Sequence, residues 1–325
     1  MKAIKVHQFG GPEVLNLEDC PIKSPGFGQA KIKMKCVGVN FVDIYIRRGA
    51  YSPSAELPYI PGKEGAGIVE SVGQGVTHVK PGDKVAFTGQ SSVYAEECVV
   101  EADSLIPVPQ SFSFEQAAAF PLQGMTAHYL LHEFRQIKPG DVVLIHAAAG
   151  GMGLLLVQWA RKLGARVIGT VSSLEKAQAA KAAGAEDLII YTEQDFVAEV
   201  MRLTGKHGAD LIIDGVGKTT FKGDLEACAL RGNIVVYGSA SGPPEPFSPT
   251  ALMPRALTLS GGSLQNFLLN RKELLRRAEA VIAGIHEGWL KLRIDRVLPL
   301  AQAAEAHNLL ENRQTIGKVL LTLEK

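Results

Sequence analysis

The chain has 325 residues, with 34 basic and 33 acidic side chains for a formal net charge of +1, and it is 46% apolar and 21% charged. That length favours two domains over one core, and the composition is that of an ordinary folded protein rather than a disordered one. The balanced charge, with no long run of one sign, lacks the electrostatic footprint of a binder of nucleic acid or anionic membrane, and 6% aromatic residues offer no evident stacking groove for single strands.

The N-terminal stretch MKAIKVHQFGGPEVL has neither the apolar core of a signal peptide nor the Arg/Ser bias of a transit peptide, and no run of roughly 18 apolar residues follows. Cys20, Cys36, Cys98 and Cys228 lie far apart without a C-x-x-C pair, a pattern suited to a reducing cytoplasm. The expectation is therefore an unprocessed, cytoplasmic protein.

From Met1 to about Pro121 the chain runs through short β-rich segments, KAIKVHQF, AKIKMKCVGV, GAGIVESVG and DKVAFTG, punctuated by Gly, Pro and Asp turns. EQAAAF and GMTAHYLLHEF then carry apolar residues at helical spacing, and the second of these is expected to bridge two domains. From Asp141 the rhythm becomes strand and helix in alternation. DVVLIHA precedes a helix over 151–163; ARVIGTV precedes one near 174–183; DLIIY precedes one near 196–203; ADLIIDGV precedes one near 221–230. GNIVVYG and ALTLSGG complete roughly six strands. These strands are near-continuous apolar runs, as burial on both faces requires. After the polar helix RKELLRRAEAVIAGIHEG, the segments RVLPL and KVLLTLEK are β-rich again and are expected to rejoin the first half.

The strongest local signal is the Gly-rich turn between DVVLIHA and the following helix. A dinucleotide pyrophosphate needs a tight turn, a closely approaching backbone and free N–H groups at a helix start. Gly150, Gly151 and Gly153 can supply them, within a candidate loop that includes Ala149 and Met152. Ala148 stands where the usual G-x-G-x-x-G has its first glycine, so the surrounding strand, turn and helix carry the assignment. An NAD-preferring fold places a carboxylate at the end of the next strand, about 20 residues on. Here that position is about Val171, and Ser172 and Lys176 follow, able to hydrogen-bond and neutralise a 2′-phosphate, so NADPH is favoured. Tyr191, ending the third strand, can pack beside the adenosine phosphate. The plain alternatives are a solvated helix charge for Lys176 and a packing role for Tyr191.

With NFVDIYIRRGAY at 40–51, PGKEGAG at 61–67, AAAGGMG at 147–153, GTVSSLEK at 169–176 and the terminal NRQTIGKVLL in view, the chain resembles, essentially end to end, the quinone oxidoreductase (zeta-crystallin-like) branch of the medium-chain dehydrogenase/reductase superfamily. The resemblance implies an α/β protein: a GroES-like β-barrel domain over 1–121 and 288–325, a doubly wound Rossmann domain over 122–287, a nicotinamide cleft between them, and a homodimer joined through edge strands. By position it implies that Asn40, Asp43 and Tyr45 line the nicotinamide pocket with Tyr51 at its mouth. It places Thr126 near the nicotinamide ribose, Gly238 and Ser239 above the ring, and Leu264 and Arg313 among later cofactor contacts. The zinc alcohol dehydrogenases of the superfamily carry a Cys and a His ligand where this chain has Asn40 and Lys63, residues that cannot build a zinc shell.

A quinone makes little demand for a metal, because hydride addition gives a delocalised, weakly basic anion, whereas an alkoxide calls for a Lewis acid. Orientation in a water-poor slot is then the main requirement. Asn40 and Tyr45 are candidates for positioning the acceptor or hydrogen-bonding its oxygen, and Asp43 for fixing their geometry. The expected activity is zinc-independent reduction of a quinone by NADPH. The rivals are an enone or alkenal double-bond reductase and a crystallin-like NADPH-binding protein with an RNA-binding role.

Overall fold

The computed structural model describes residues 1–50 and 56–323. The chain divides into two compact units, Met1–Gln123 with Leu268–Glu279 and Leu292–Lys325, and Gly124–Phe267 with Ala280–Lys291.

The first unit begins with the antiparallel pair β1 (Lys2–Lys5) and β2 (Asn16–Asp19). Then come β3 (Gln29–Val39), α1 (Phe41–Arg47), β4 (Glu64–Val72), β5 (Lys84–Thr88), β6 (Glu97–Glu101), β7 (Ile106–Pro107) and α2 (Phe114–Ala119). β3 alternates buried and less buried positions from Gln29 to Cys36, the period-2 mark of a strand with one face on the core, and is buried continuously from there to Val39. Ile32, Met34, Val37, Phe87, Tyr94 and Leu321 are among the side chains of this core.

α3 (Pro121–His132) leads into the second unit: β8 (Val142–Ile145), α4 (Gly151–Lys162), β9 (Arg166–Val171), α5 (Leu174–Ala183), β10 (Asp187–Ile190), α6 (Phe196–Leu203), β11 (Ala209–Asp214), α7 (Phe221–Ala227), β12 (Cys228–Val236) and β13 (Thr258–Gly261). These strands form one six-stranded sheet in the order β10-β9-β8-β11-β12-β13, parallel at every pairing. Counted within the sheet, that order is 3-2-1-4-5-6, the doubly wound arrangement whose carboxyl strand ends gather ligand-binding loops. α8 (Arg271–His286), β14 (Ile294–Pro299), α9 (Ala303–Glu311) and β15 (Lys318–Thr322) complete the chain. β15 pairs antiparallel with β3, giving the first unit a sheet ordered β14-β15-β3-β4-β5-β7 with β6 also on β3.

Three features depart from the sequence reading. α1 occupies the segment NFVDIYIR, where no helix was expected; Asn40 caps it, and the Asp43 carboxylate, three residues on, accepts from the Asn40 N–H at 2.9 Å. α9 is a second unexpected helix. α7 stops at Ala227 rather than near Leu230, because Cys228 already pairs with Ala209 and β12 reaches its regular register only past an irregularity at Arg231, whose φ is 61°.

Candidate functional site

In the second unit, β8 ends at Ile145, and the chain turns through His146 and Ala147, which adopts φ 52°, to Gly150, the N-cap of α4. The turn is closed by Gly150 N–H donating to Ala147 O at 2.9 Å. The opening N–H groups of a helix have no partner within it, so those of the Gly151–Gly153 segment face the turn as donors for an anion. Gly153 makes this approach possible: a Cβ there would lie 2.3 Å from the Ala147 carbonyl oxygen and 2.6 Å from Ala148 backbone atoms. Ala148 is tolerated in place of a first glycine because Gly169 on the neighbouring strand leaves room for its methyl, which a Cβ at 169 would meet at 2.7 Å.

Behind this loop sits a buried pair. His146 Nε2 lies 2.8 Å from Asp224 Oδ1 and Nδ1 lies 2.9 Å from Thr170 Oγ1. Burial pulls the imidazole down, but the Asp224 carboxylate, helped by Asp214, more than offsets it and His146 is held above its ordinary range. Burial pushes Asp224 up to about 6. The pair therefore retains a proton above the pH at which the free groups would lose theirs. His146 is a satisfied interior residue, not a ligand for the loop.

The other second-unit candidates fall mostly at the same carboxyl edge of the sheet. Val171 ends β9 and is buried, Ser172 follows half-buried, and Ser173 caps α5 by accepting from Lys176 N–H at 3.3 Å. Ile190 pairs in register with Val171, which brings the exposed Tyr191 beside this end. Gly238 and Ser239 follow β12, and a Cβ at 238 would lie 2.9 Å from Gly215 O at the end of β11. Leu264 is buried just past β13, and Thr126 is buried on α3.

In the first unit, Asn40 and Asp43 are buried at the start of α1 and Tyr45 is half-buried one turn further on. Asn40 is gripped from three sides. Its Nδ2 donates to Gly38 O at 3.3 Å and to Glu64 Oε1 at 3.1 Å, while Lys318 Nζ donates to Asn40 Oδ1 at 2.7 Å and also to Glu64 Oε1. Gly38 is required for this, since a Cβ there would sit 2.2 Å from Glu64 Oε1. Both amide hydrogens of Asn40 are thus committed to protein acceptors. Asp43 Oδ2 accepts from Asn40 N–H and from Tyr94 O–H at 3.2 Å, while Oδ1 has no hydrogen-bond partner among the described residues. Burial drives its carboxyl up to about 7, against the pull of the Asn40 N–H, Lys318 and Tyr94.

Arg313 lies exposed in the turn after α9, at φ 57°, and Tyr51 is outside the described residues. Glu64, Lys318 and Arg47 were present in the sequence only as parts of PGKEGAG, GKVLL and NFVDIYIRRGAY, without roles; Tyr94 and His307 carried no signal at all. Lys63 donates to Ser91 Oγ at 3.0 Å, and burial lowers its ammonium's affinity for its proton. Among the described residues no group of three or more His, Cys, Asp or Glu is placed to hold a metal, and no helix is long and apolar enough to cross a membrane.

Comparison with known proteins gives a consistent picture. The family model described as "Alcohol dehydrogenase GroES-like domain" matches residues 26–139, and that described as "Zinc-binding dehydrogenase" matches 151–280. A 2-haloacrylate reductase of Burkholderia sp is 39% identical, covering 98% of this chain and 98% of its own. Quinone oxidoreductase 1 of Escherichia coli (strain K12) is also 39% identical, over 98% of each chain. A mycobacterial protein solved in complex with NADPH superposes with a TM-score of 0.96 at 42% identity, covering 99% of this chain and 100% of the other.

Proposed function

Because this chain belongs to the quinone oxidoreductase branch of the medium-chain dehydrogenase/reductase superfamily, we propose that it transfers hydride from NADPH to a quinone without a metal ion. It is an oxidoreductase, and its cofactor is NADPH. The loop fits that cofactor: Gly150, Gly151 and Gly153, with Ala149 and Met152 between and beside them, would hold the pyrophosphate. Ser172 and Lys176 would take the 2′-phosphate where Val171 replaces a carboxylate, with Tyr191 beside the adenosine. Thr126 would lie near the nicotinamide ribose and Gly238 and Ser239 above the ring, with Tyr51 at the mouth of that pocket and Leu264 and Arg313 among later cofactor contacts.

The observation that carries the metal-free reading is the seat of Lys318. At the positions where zinc alcohol dehydrogenases hold their metal, this chain has an amide bound to Glu64 and Lys318 and, at 63, an ammonium. The nearby carboxylate, Glu64, is already neutralised by Lys318, and burial pushes the Cys36 thiol up to about 12. Zinc needs thiolate, neutral imidazole or carboxylate donors, so this set does not fit it.

When bound, NADPH supplies a hydride. The chain's own contribution is then to orient the acceptor and keep water out, since the reduced quinone is a weak base that solvent can protonate. With Asn40's hydrogens committed, its part is to lock the entry to α1; Asp43 fixes that entry, and Tyr45, half-buried on α1, is the candidate to position the acceptor. The reading includes a homodimer formed through the β13 edge and a cytoplasmic setting, which four unpaired cysteines suit. The 2-haloacrylate reductase relative favours a second reading, reduction of an activated carbon–carbon double bond.

Purified protein should oxidise NADPH with a simple naphthoquinone, unchanged by a chelator. A strict NADH preference would sink the cofactor assignment, and loss of activity on chelation the metal-free one. Faster turnover of an α,β-unsaturated ketone than of any quinone would install the second reading. Lys176→Ala should raise the KM for NADPH by about tenfold and leave that for NADH nearly unchanged, as expected for one lost charge-assisted hydrogen bond.

A further inference from the structure

Asp43 is the end point of a row of buried polar groups that the proposed reaction does not by itself require. Glu311, on the last turn of α9, pairs with Arg47 and, at 2.7 Å, with Arg48. Arg47 is fully buried; its Nε donates to Gly10 O at 3.2 Å and its Nη1 lies 3.0 Å from His307 Nδ1. A guanidinium only donates, so Nδ1 must be the accepting nitrogen and the His307 proton must sit on Nε2. Nε2 lies 3.0 Å from Tyr94 Oη, which leaves the tyrosine hydroxyl to donate to Asp43 Oδ2. Every bond in the row therefore points the same way, from the Arg47 charge toward the carboxyl. Burial and Arg47 hold His307 neutral, its pKa lowered to about 3, so the direction cannot reverse by protonation at neutral pH.

The backbone is built around this row. Gly62, at φ 99°, leaves space for the Tyr94 ring, which a Cβ would meet at 2.4 Å, and His307 packs edge-on to Tyr94 with ring centres 5.8 Å apart. We propose that Arg47, His307 and Tyr94 are positioning residues that act as a directed hydrogen-bond chain on Asp43, fixing its carboxyl and through it the Asn40–Tyr45 turn that orients the acceptor. The proposal rests on the reading of Asn40, Asp43 and Tyr45 as the acceptor site.

The chain leaves a chemical trace. Asp43 is faced by Asn40 N–H at the start of α1, Tyr94 from the segment before β6, Lys318 from β15, Glu64 from β4, and Tyr59 and Lys63 from the approach to β4. Of these only Tyr94 receives its orientation from His307. Removing the Tyr94 hydroxyl deletes a bond that favours the charged carboxylate, so Asp43 should hold its proton to higher pH.

The test is the infrared carbonyl band of protonated Asp43 in the full-length protein, assigned by its loss in Asp43→Asn, together with the pH profile of NADPH oxidation by a naphthoquinone. Tyr94→Phe and His307→Leu should both move the midpoint of the band up by about one pH unit, as loss of one hydrogen bond to a charged group implies. His307→Gln, whose amide can accept from Arg47 and donate to Tyr94, should stay near the parent. An unmoved band in Tyr94→Phe, the variant that keeps the ring and its packing, overturns the chain. A band that moves while the kinetic profile does not upholds the chain and removes Asp43 from the acceptor site. Movement of both by the same amount supports the two together.

Discussion

Each unit buries a histidine in a hydrogen-bonded pair behind a candidate site, and the two are held in opposite states. His307 is 0% exposed and His146 2% exposed. Burial alone disfavours the charged imidazole in both. His307 has a guanidinium at 3.0 Å and is driven down to about 3, whereas His146 has a carboxylate at 2.8 Å and is lifted. Depth alone would leave both neutral; Arg47 adds to that for His307, and only the carboxylate beside His146 reverses it. The consequence for function differs too: the second unit sets a retained proton behind a loop made of backbone, and the first sets a neutral, directional relay behind a site made of side chains.

The largest effect that would break this contrast comes from splitting the pair behind the loop. His146→Leu leaves Asp224 buried without its partner and should cost about 3–5 kcal/mol in chemical denaturation, while His146→Leu with Asp224→Leu should recover most of it. If the single variant cost under about 1 kcal/mol, the pair would be neutral and the likeness between the two histidines would replace the contrast. A smaller effect sharpens it on the loop itself. Gly153→Ala places a methyl 2.3 Å from Ala147 O, which only a backbone shift can relieve. About 1–3 kcal/mol of strain is expected, with NADPH affinity, measured by fluorescence titration, down by at least tenfold. Unchanged affinity would show that the loop does not need that closeness.

The same contrast explains what could be read from the chain alone. The dinucleotide loop is local: glycines, an apolar strand and a helix within a few residues announce it, and the doubly wound sheet follows from strand and helix alternation. The first-unit network is assembled from distant pieces. Asn40 meets Lys318 across 278 positions, Arg47 meets His307 across 260 and Tyr94 meets His307 across 213. No periodicity or spacing encodes such pairs. Asn40 illustrates the limit: its residue type suggested a donor for the acceptor's oxygen, and only its surroundings reveal that both hydrogens are taken. α1 was missed because its seven residues are too few for a helical period to declare itself, although the Asn40-x-x-Asp43 spacing was a usable capping signal.

The smallest expected effect is a cancellation, and it tests the first unit from within. Asp43 is raised to about 7 from an unfolded value of about 3.9, so the folded state holds its proton longer and this group's stabilisation is lost as pH rises between those values. His307 is lowered to about 3 from an unfolded value of about 6.5, so the unfolded state binds the extra proton and stability is lost as pH falls through that range. From about pH 4 to 6.5 the two slopes oppose each other and the parent protein should gain or lose little from this pair. Asp43→Asn leaves the His307 slope alone, and stability should then rise with pH by about 1 kcal/mol per unit; His307→Gln leaves the Asp43 slope, and stability should fall with pH by a similar amount. Other titrating groups tilt both variants equally, so the difference between the two slopes, followed by urea denaturation at several pH values, is the quantity to read. Parallel slopes would mean that the buried carboxyl and the buried imidazole do not differ in charge from their unfolded states, and the relay would then have no neutral histidine at its centre.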